Sequence, residues 1–297
     1  MYNAKYKQLK DLLDCVSAAD IVSKIEKFRE LDFKKITDKE LQEGIGRTIS
    51  VNIDGIEKAI LFPKISIYPS GTRFYRIRKV EQSDHYLPLK AMTFENDAWN
   101  PPNDVITRMG RLNKIGESLL YTSPGNPFVA VEEMKIQDGE RFCLIVYESI
   151  KETKVTMISL WEDDTNLTSE ENLKMRIISN FLKDEFTREV GEGTEHLYKI
   201  SEKITKNYFD LPPGIIQDAW CYPSVAAKKS VNVCFRPEMA KDILKLVGVQ
   251  VCFVKKSETN YIFECQAIAS GFDADKKFMY YTVDSEECRK VFPEIKI

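Results

Sequence analysis

Hydrophobic periodicity switches along this chain, and the order of the switches narrows the available folds more than any other feature. Over the first 45 or so residues it is helical. The stretch KYKQLKDLLDCV spaces Tyr6, Leu9, Leu12, Leu13 and Val16 three and four apart, as one apolar helix face requires. SAADIVSKIEKFRELDF and TDKELQEGI follow, each opening on a residue that caps helices. From Arg47 the pattern alternates and is rich in Ile, Val and Tyr, with Asp-Gly and Ser-Gly as turns, which predicts strands. ERFCLIVYESI and KVTMISLW continue it. A helical period returns in TSEENLKMRIISNFLKDEFTREV, with Thr168 and Glu171 at capping-box spacing, and in TEHLYKISEKITKNYF from Thr194. Strands resume at IIQDAWCYPSV, SVNVCFRP, VQVCFVK, YIFECQAIAS and KFMYYTVD. Helices and strands are therefore grouped without regular βα alternation, which favours an α+β fold over a doubly wound sheet. The first switch divides a helical N-terminal extension, 1–46, from a β-rich remainder, 47–297.

Composition excludes several functions. At 297 residues, 43% hydrophobic and 30% charged, the chain can bury a sizeable core. A formal charge of −3 with mixed signs argues against a broad nucleic-acid face, and no apolar run approaches the length that spans a bilayer. The N-terminus lacks the apolar core and cleavage site of a signal peptide. The seven cysteines form no CxxC pair and are odd in number, so they read as reduced thiols of a cytoplasmic protein. Neither His85 nor His196 stands at ligand spacing from a cysteine or the other histidine, so no zinc site is expected. GxxxxGK[ST], GxGxxG and GxSxG are all missing.

The densest stretch is GRLNKIGESLLYTSPGNPFVAVEE, residues 110–133. Asn126 and Pro127 look like the cap and first position of a helix that would carry Glu132 and Glu133 about 100° apart. Only one of them can face the preceding strand, and on spacing alone two solvated glutamates are the better reading. In TRFYRIRKV, alternation puts Tyr75 and Ile77 on one strand face and Phe74, Arg76 and Arg78 on the other. Arginine beside an aromatic residue suits phosphate binding, although a solvated surface strand explains these residue types slightly better. Tyr-Pro-Ser occurs at 68–70 and at 222–224. The first copy precedes Gly71 in a turn, and the second lies between apolar strands.

Taken in chain order, these pieces resemble the RES family, named for its arginine, glutamate and serine. The pieces are Tyr75-Arg76, then Gly110-Arg111-Leu112-Asn113 with Gly116, then Leu120-Tyr121-Thr122-Ser123, and last Tyr222-Pro223-Ser224 before VNVCF. Glu132 lies at the family's spacing from Tyr121, which selects it over Glu133. The resemblance covers about residues 73–255, within the 47–297 segment. Leu112 departs from it, since the family usually has Trp there, and the N-terminal helices and C-terminal strands exceed a minimal RES domain.

The resemblance implies a mixed-sheet fold related to the ADP-ribosyltransferases and an enzyme that consumes NAD as substrate. No metal or bound cofactor is implied. Many RES proteins are toxins held by an antitoxin with a helix-turn-helix domain, so such a partner is expected, while a membrane or a direct nucleic-acid partner is not; a homo-oligomer is compatible. The catalytic residues it implies are Arg76, Glu132 and Ser224, with Tyr75, Arg111, Asn113, Tyr121 and Tyr222 around the NAD. Cleavage of the nicotinamide–ribose bond passes through an oxocarbenium-like state that a carboxylate stabilises, and paired arginines suit the diphosphate. Water as acceptor would make a glycohydrolase, phosphate a phosphorylase, and a macromolecular side chain an ADP-ribosyltransferase. A non-catalytic nucleotide- or partner-binding module is the remaining alternative.

Overall fold

A computed structural model describes residues 2–256 and 261–296. It opens with three helices, α1 (Tyr2–Asp14), α2 (Ala18–Arg29) and α3 (Asp38–Ile49). Ser17 and Thr37 start the second and third through reciprocal capping boxes with Asp20 and Glu40. The hairpin β1 (Ser50–Ile53) and β2 (Ile56–Ala59) turns on Asp54 and Gly55, both at positive φ as a two-residue hairpin turn demands. Next come β3 (Lys64–Tyr68) and β4 (Arg73–Lys79). After three short 3-10 turns follow β5 (Leu120–Pro124), α4 (Pro127–Glu133), β6 (Arg141–Ser149) and β7 (Thr153–Met157). Helices α5 (Ser169–Thr187) and α6 (Tyr198–Ile204) come next, the latter running into a π-helical turn. The chain continues through β8 (Ala219–Pro223), β9 (Val231–Phe235), α7 (Pro237–Ile243), β10 (Leu244–Lys256), β11 (Tyr261–Phe272), β12 (Phe278–Thr282) and α8 (Glu286–Val291). The class is α+β, as the ordering of periods requires. No described helix is long and apolar enough to cross a membrane.

The chain forms two compact units, neither continuous in sequence. The first comprises Met1–Ile65, Thr107–Ile115 and Thr156–Pro212; the second comprises Ser66–Ile106, Gly116–Val155 and Pro213–Ile297. The expected division after residue 46 does not coincide with this partition, because later segments join the N-terminal helices. In the first unit, Phe28 of α2 meets Phe181 of α5 edge to face at 5.3 Å, over a core that includes Ile21, Leu41 and Ile45. Thr168 caps α5 through the expected box with Glu171.

Strands of the larger sheet run in the order β12-β11-β10-β6-β4-β5-β9-β8-β7-β3, and β1 and β2 form a separate pair. Most of the larger sheet belongs to the second unit. There β4 lies antiparallel to both β5 and β6, β9 to β5 and β8, and β10 to β6 and β11. Helix α4 packs on one face of this sheet. Phe128 stacks on Phe263 of β11 at 4.5 Å, while Glu133 bonds to Asn232 of β9. Strands β11 and β9 stand five steps apart in the sheet. Flat, five steps would span roughly 24 Å, and α4 bridges the two strands through side chains at opposite ends of its length. Ile77, Val131, Ile136, Phe142, Leu144, Val146 and Phe292 form the core between α4 and the sheet.

Candidate functional site

The centre of the second unit is a polar network at the foot of α4. Asn126 caps the helix by accepting from the Phe128 amide at 3.0 Å, and Pro127 occupies its first turn, as the sequence predicts. One turn on from Val129, Glu133 receives three hydrogen bonds on the single oxygen Oε1. Ser224 Oγ donates at 2.5 Å, the Val225 amide at 2.9 Å and Asn232 Nδ2 at 2.9 Å. Ser224 Oγ also accepts from the Ala227 amide at 3.0 Å, and Asn232 Oδ1 accepts from Ser123 Oγ at 3.0 Å. Ser224, Asn232 and Ser123 are each no more than 5% exposed. Oε1 is thus fixed from three directions, and Oε2 receives no hydrogen bond from the described residues.

Glu133, not Glu132, is therefore the glutamate that meets the second Tyr-Pro-Ser serine, whereas motif spacing selects Glu132. Helix geometry gives the reason. Glu133 lies four residues after buried Val129 and three after buried Ala130, on the stripe that faces β5 and β9. Glu132 lies four after Phe128 and follows that ring to β11, where Tyr261 donates its hydroxyl to the Glu132 carboxylate. This bond raises the Tyr261 pKa above its ordinary value, with burial adding to it.

Cross-strand register assigns the remaining residues to faces. Tyr75 stands opposite Ser123, Ser123 bonds to Asn232, and Asn232 stands opposite Tyr222. Residues directly opposed in a ladder share a face, and residues two apart on a strand share it too. Tyr75, Tyr121, Tyr222 and the Glu133 network therefore share one face of the sheet. Arg76 is on the other. The alternation expected for β4 is observed, and it separates Arg76 from the carboxylate and the serine. Its guanidinium donates to the Trp99 carbonyl at 2.8 Å and lies against fully buried Tyr147, whose hydroxyl donates to the Ala98 carbonyl. Burial pushes the Tyr147 phenol up to about 12, opposed by the Arg76 charge. Arg76 thus braces the 97–99 turn where a substrate contact had been expected.

The cations on the carboxylate's own face are different ones. Arg73, two residues before Tyr75, pairs with Glu294 at 2.6 Å and feels the Tyr75 phenol beside it. Its burial opposes the charge, and the partners outweigh that, leaving its pKa raised; burial in turn raises that of Tyr75. Arg236, two residues beyond Cys234 and 8% exposed, lies over the Trp220 ring at 4.1 Å. Burial lowers its pKa, against the attraction of Glu238 and Glu117. Also in this unit, a cavity of about 610 Å³ is lined by Tyr75, Leu144, Gln250, Phe263 and Cys265 among others. That volume lies in the range of small-molecule sites.

Arg111 and Asn113 belong to the first unit. Arg111 Nη2 donates to the Arg188 carbonyl at 3.1 Å, and its guanidinium lies 5.4 Å from the Tyr198 ring centre. Its Nη1 is buried and makes no hydrogen bond with the described residues. Asn113 is buried, donates to the Lys114 carbonyl at 3.0 Å, and its own carbonyl closes the loop onto the Gly110 amide at 3.1 Å. Serine 70 of the first Tyr-Pro-Ser is exposed and makes one long contact, 3.4 Å, to the Ser149 carbonyl.

Sequence reasoning weighed Glu133 and passed it over, and did not single out Ser123, Asn232 or Arg236 for this network. Two signals were present. The i,i+4 relation of Glu133 to Val129 aligns that carboxylate with the apolar stripe, and alternation in SVNVCFRP puts Asn232, Cys234 and Arg236 on one face. Compared with family models, with curated proteins and with solved structures, the chain matches none.

Proposed function

We propose that this protein is an NAD-consuming enzyme that cleaves the nicotinamide–ribose bond, with Glu133 as the carboxylate facing the developing oxocarbenium ion. The observation that carries the reading is the 2.5 Å hydrogen bond from Ser224 to Glu133, 91 residues apart. It joins the glutamate helix to the second Tyr-Pro-Ser, two pieces chosen from sequence for separate reasons. Fixing Oε1 with three donors holds the carboxylate rigid and leaves Oε2 for the substrate, where it can accept from a ribose hydroxyl or steady the cation. A preorganised charge of this kind acts without reorganising as the bond breaks.

In this reading Ser224 and Asn232 position Glu133, while Tyr75, Tyr121 and Tyr222 supply aromatic surface on the same face. Arg236 is the cation best suited to a phosphate there, since stacking on Trp220 holds its planar fork in one orientation. Water or phosphate as acceptor would make a glycohydrolase or a phosphorylase. Such an activity would deplete NAD in a cell, in keeping with a toxin held by a helix-turn-helix antitoxin. The test is incubation of purified protein with NAD, with and without phosphate, and separation of products by mass. Nicotinamide with ADP-ribose, or with a phosphorylated ADP-ribose when phosphate is present, is expected. Intact NAD under both conditions would refute the reading.

A further inference from the structure

The long hairpin of β10 and β11 sets two cysteines directly opposite each other. Cys252 pairs with Cys265 in the antiparallel register, so both side chains leave the same face. Opposed residues have Cα atoms about 4.5–5.5 Å apart, within the span a disulfide bridges. Both thiols are free. The register slips beside them: Val251 faces Ala267 while Cys252 faces Cys265, leaving Gln266 as the extra residue of a β-bulge. Within the bulge, Cys265 Sγ lies 3.3 Å from the Ala267 carbonyl.

The two thiols differ in access. Cys252 is fully buried in the core with Phe142, Leu144 and Val254, whereas Cys265 is partly exposed and lines the 610 Å³ cavity. They also differ in acidity. The interaction between the two opposed thiols holds that of Cys265 below the ordinary thiol range and drives that of Cys252 upward, with burial adding to the rise. Cys265 therefore ionises first, and the thiolate is the reactive form. Burial pushes the thiols of Cys143 and Cys221 up to about 12 and also raises that of Cys288. An accessible, acidic thiol with a second thiol in reach has the features of redox-active cysteine pairs.

We propose that Cys265 is a peroxide-reactive cysteine and Cys252 its resolving partner, so that oxidation closes a cross-strand disulfide in the wall of the cavity. The Cys265 thiolate attacks one oxygen of hydrogen peroxide; a sulfur–oxygen bond forms, the oxygen–oxygen bond breaks, and hydroxide leaves to take up a proton. Cys252, giving up its proton, attacks the sulfenic sulfur; the disulfide forms and the sulfenic oxygen leaves as water. Two thiols lose two electrons together, and one peroxide becomes two waters.

The full chain with all seven cysteines is treated with hydrogen peroxide, blocked with N-ethylmaleimide, digested and mapped by mass. The expected result is the loss of two thiols and one linked peptide pair carrying Cys252 and Cys265, reversed by dithiothreitol. In Cys252→Ser the linked pair should vanish and dimedone should trap a sulfenic acid at Cys265; if that variant does not fold, the wild-type map decides alone. Exposed Cys15 is the internal reference. Oxidation of Cys15 with Cys265 still reduced would overturn the proposal, as would a linked pair joining any other two cysteines.

Discussion

Ser224 uses its hydroxyl in both senses, donating to Glu133 and accepting from the Ala227 amide. Replacing it with alanine strands that amide and removes one of the three donors that fix the carboxylate. Ser224→Ala is therefore expected to lower NAD turnover by roughly tenfold or more, in line with the loss of one positioning hydrogen bond. Ser70→Ala, which removes only an exposed 3.4 Å contact, should leave both turnover and stability unchanged. Steady-state rates of the two variants check this, and equal rates would contradict the assignment of the second Tyr-Pro-Ser. Arg76 gives the opposite expectation. Its bond to the Trp99 carbonyl braces a turn on the far face of the sheet, so Arg76→Lys should cost about 1–3 kcal/mol in urea unfolding while leaving the Michaelis constant for NAD near wild type. A large rise in that constant with unchanged stability would return Arg76 to the substrate.

At the scale of elements, β10 carries a second irregularity, between Leu246 and Gly248. A Cβ at Gly248 would lie 2.9 Å from the Ala269 carbonyl on β11 and 3.1 Å from the Phe292 ring beyond α8. Neither the paired strand nor the fully buried ring can move away easily. Gly248→Ala should thus cost about 1–3 kcal/mol through overpacking, read as a lower urea midpoint with an unchanged slope; a wild-type midpoint would show that the ring yields. The elements themselves were largely legible in the sequence. The capping box at Thr168, the cap residue at Thr37, the Asn126–Pro127 start of α4 and the two faces of β4 all rest on local chemistry that a short window contains. Helices α7 and α8 escaped because 7 and 6 residues are too few to display a helical period. The choice between Glu132 and Glu133 rested on spacing along the chain, whereas the fold decides it by which neighbour, Phe128 or Val129, each glutamate follows around the helix. The network partners Ser123 and Asn232 depend on strand register across more than a hundred residues, which no local pattern carries.

At the scale of the whole molecule, several buried acids govern the response to alkali. Burial holds the Tyr147 phenol and the Cys143 and Cys221 thiols at about 12, against ordinary values of 10.0 and 9.0. Below about pH 9 both folded and unfolded chains keep these protons, and the stabilising contribution is complete. Above it the unfolded chain releases them while the folded one does not, so stability falls by up to roughly 1.4 kcal/mol per pH unit for each proton until the folded values are passed. Tm should therefore drop between about pH 9 and 12, less steeply in Tyr147→Phe than in wild type. An equal slope in both would mean that the phenol ionises without unfolding. The proposed activity places its demand elsewhere, on the carboxylate that α4 presents to β9. Release of nicotinamide from NAD, compared between wild type, Glu133→Gln and Glu132→Gln, tests that demand most directly. Wild type should release it, Glu133→Gln should be slower by at least about 10²-fold, and Glu132→Gln should stay close to wild type. Full activity in Glu133→Gln with its loss in Glu132→Gln, or a wild-type protein that leaves NAD intact, would contradict the account.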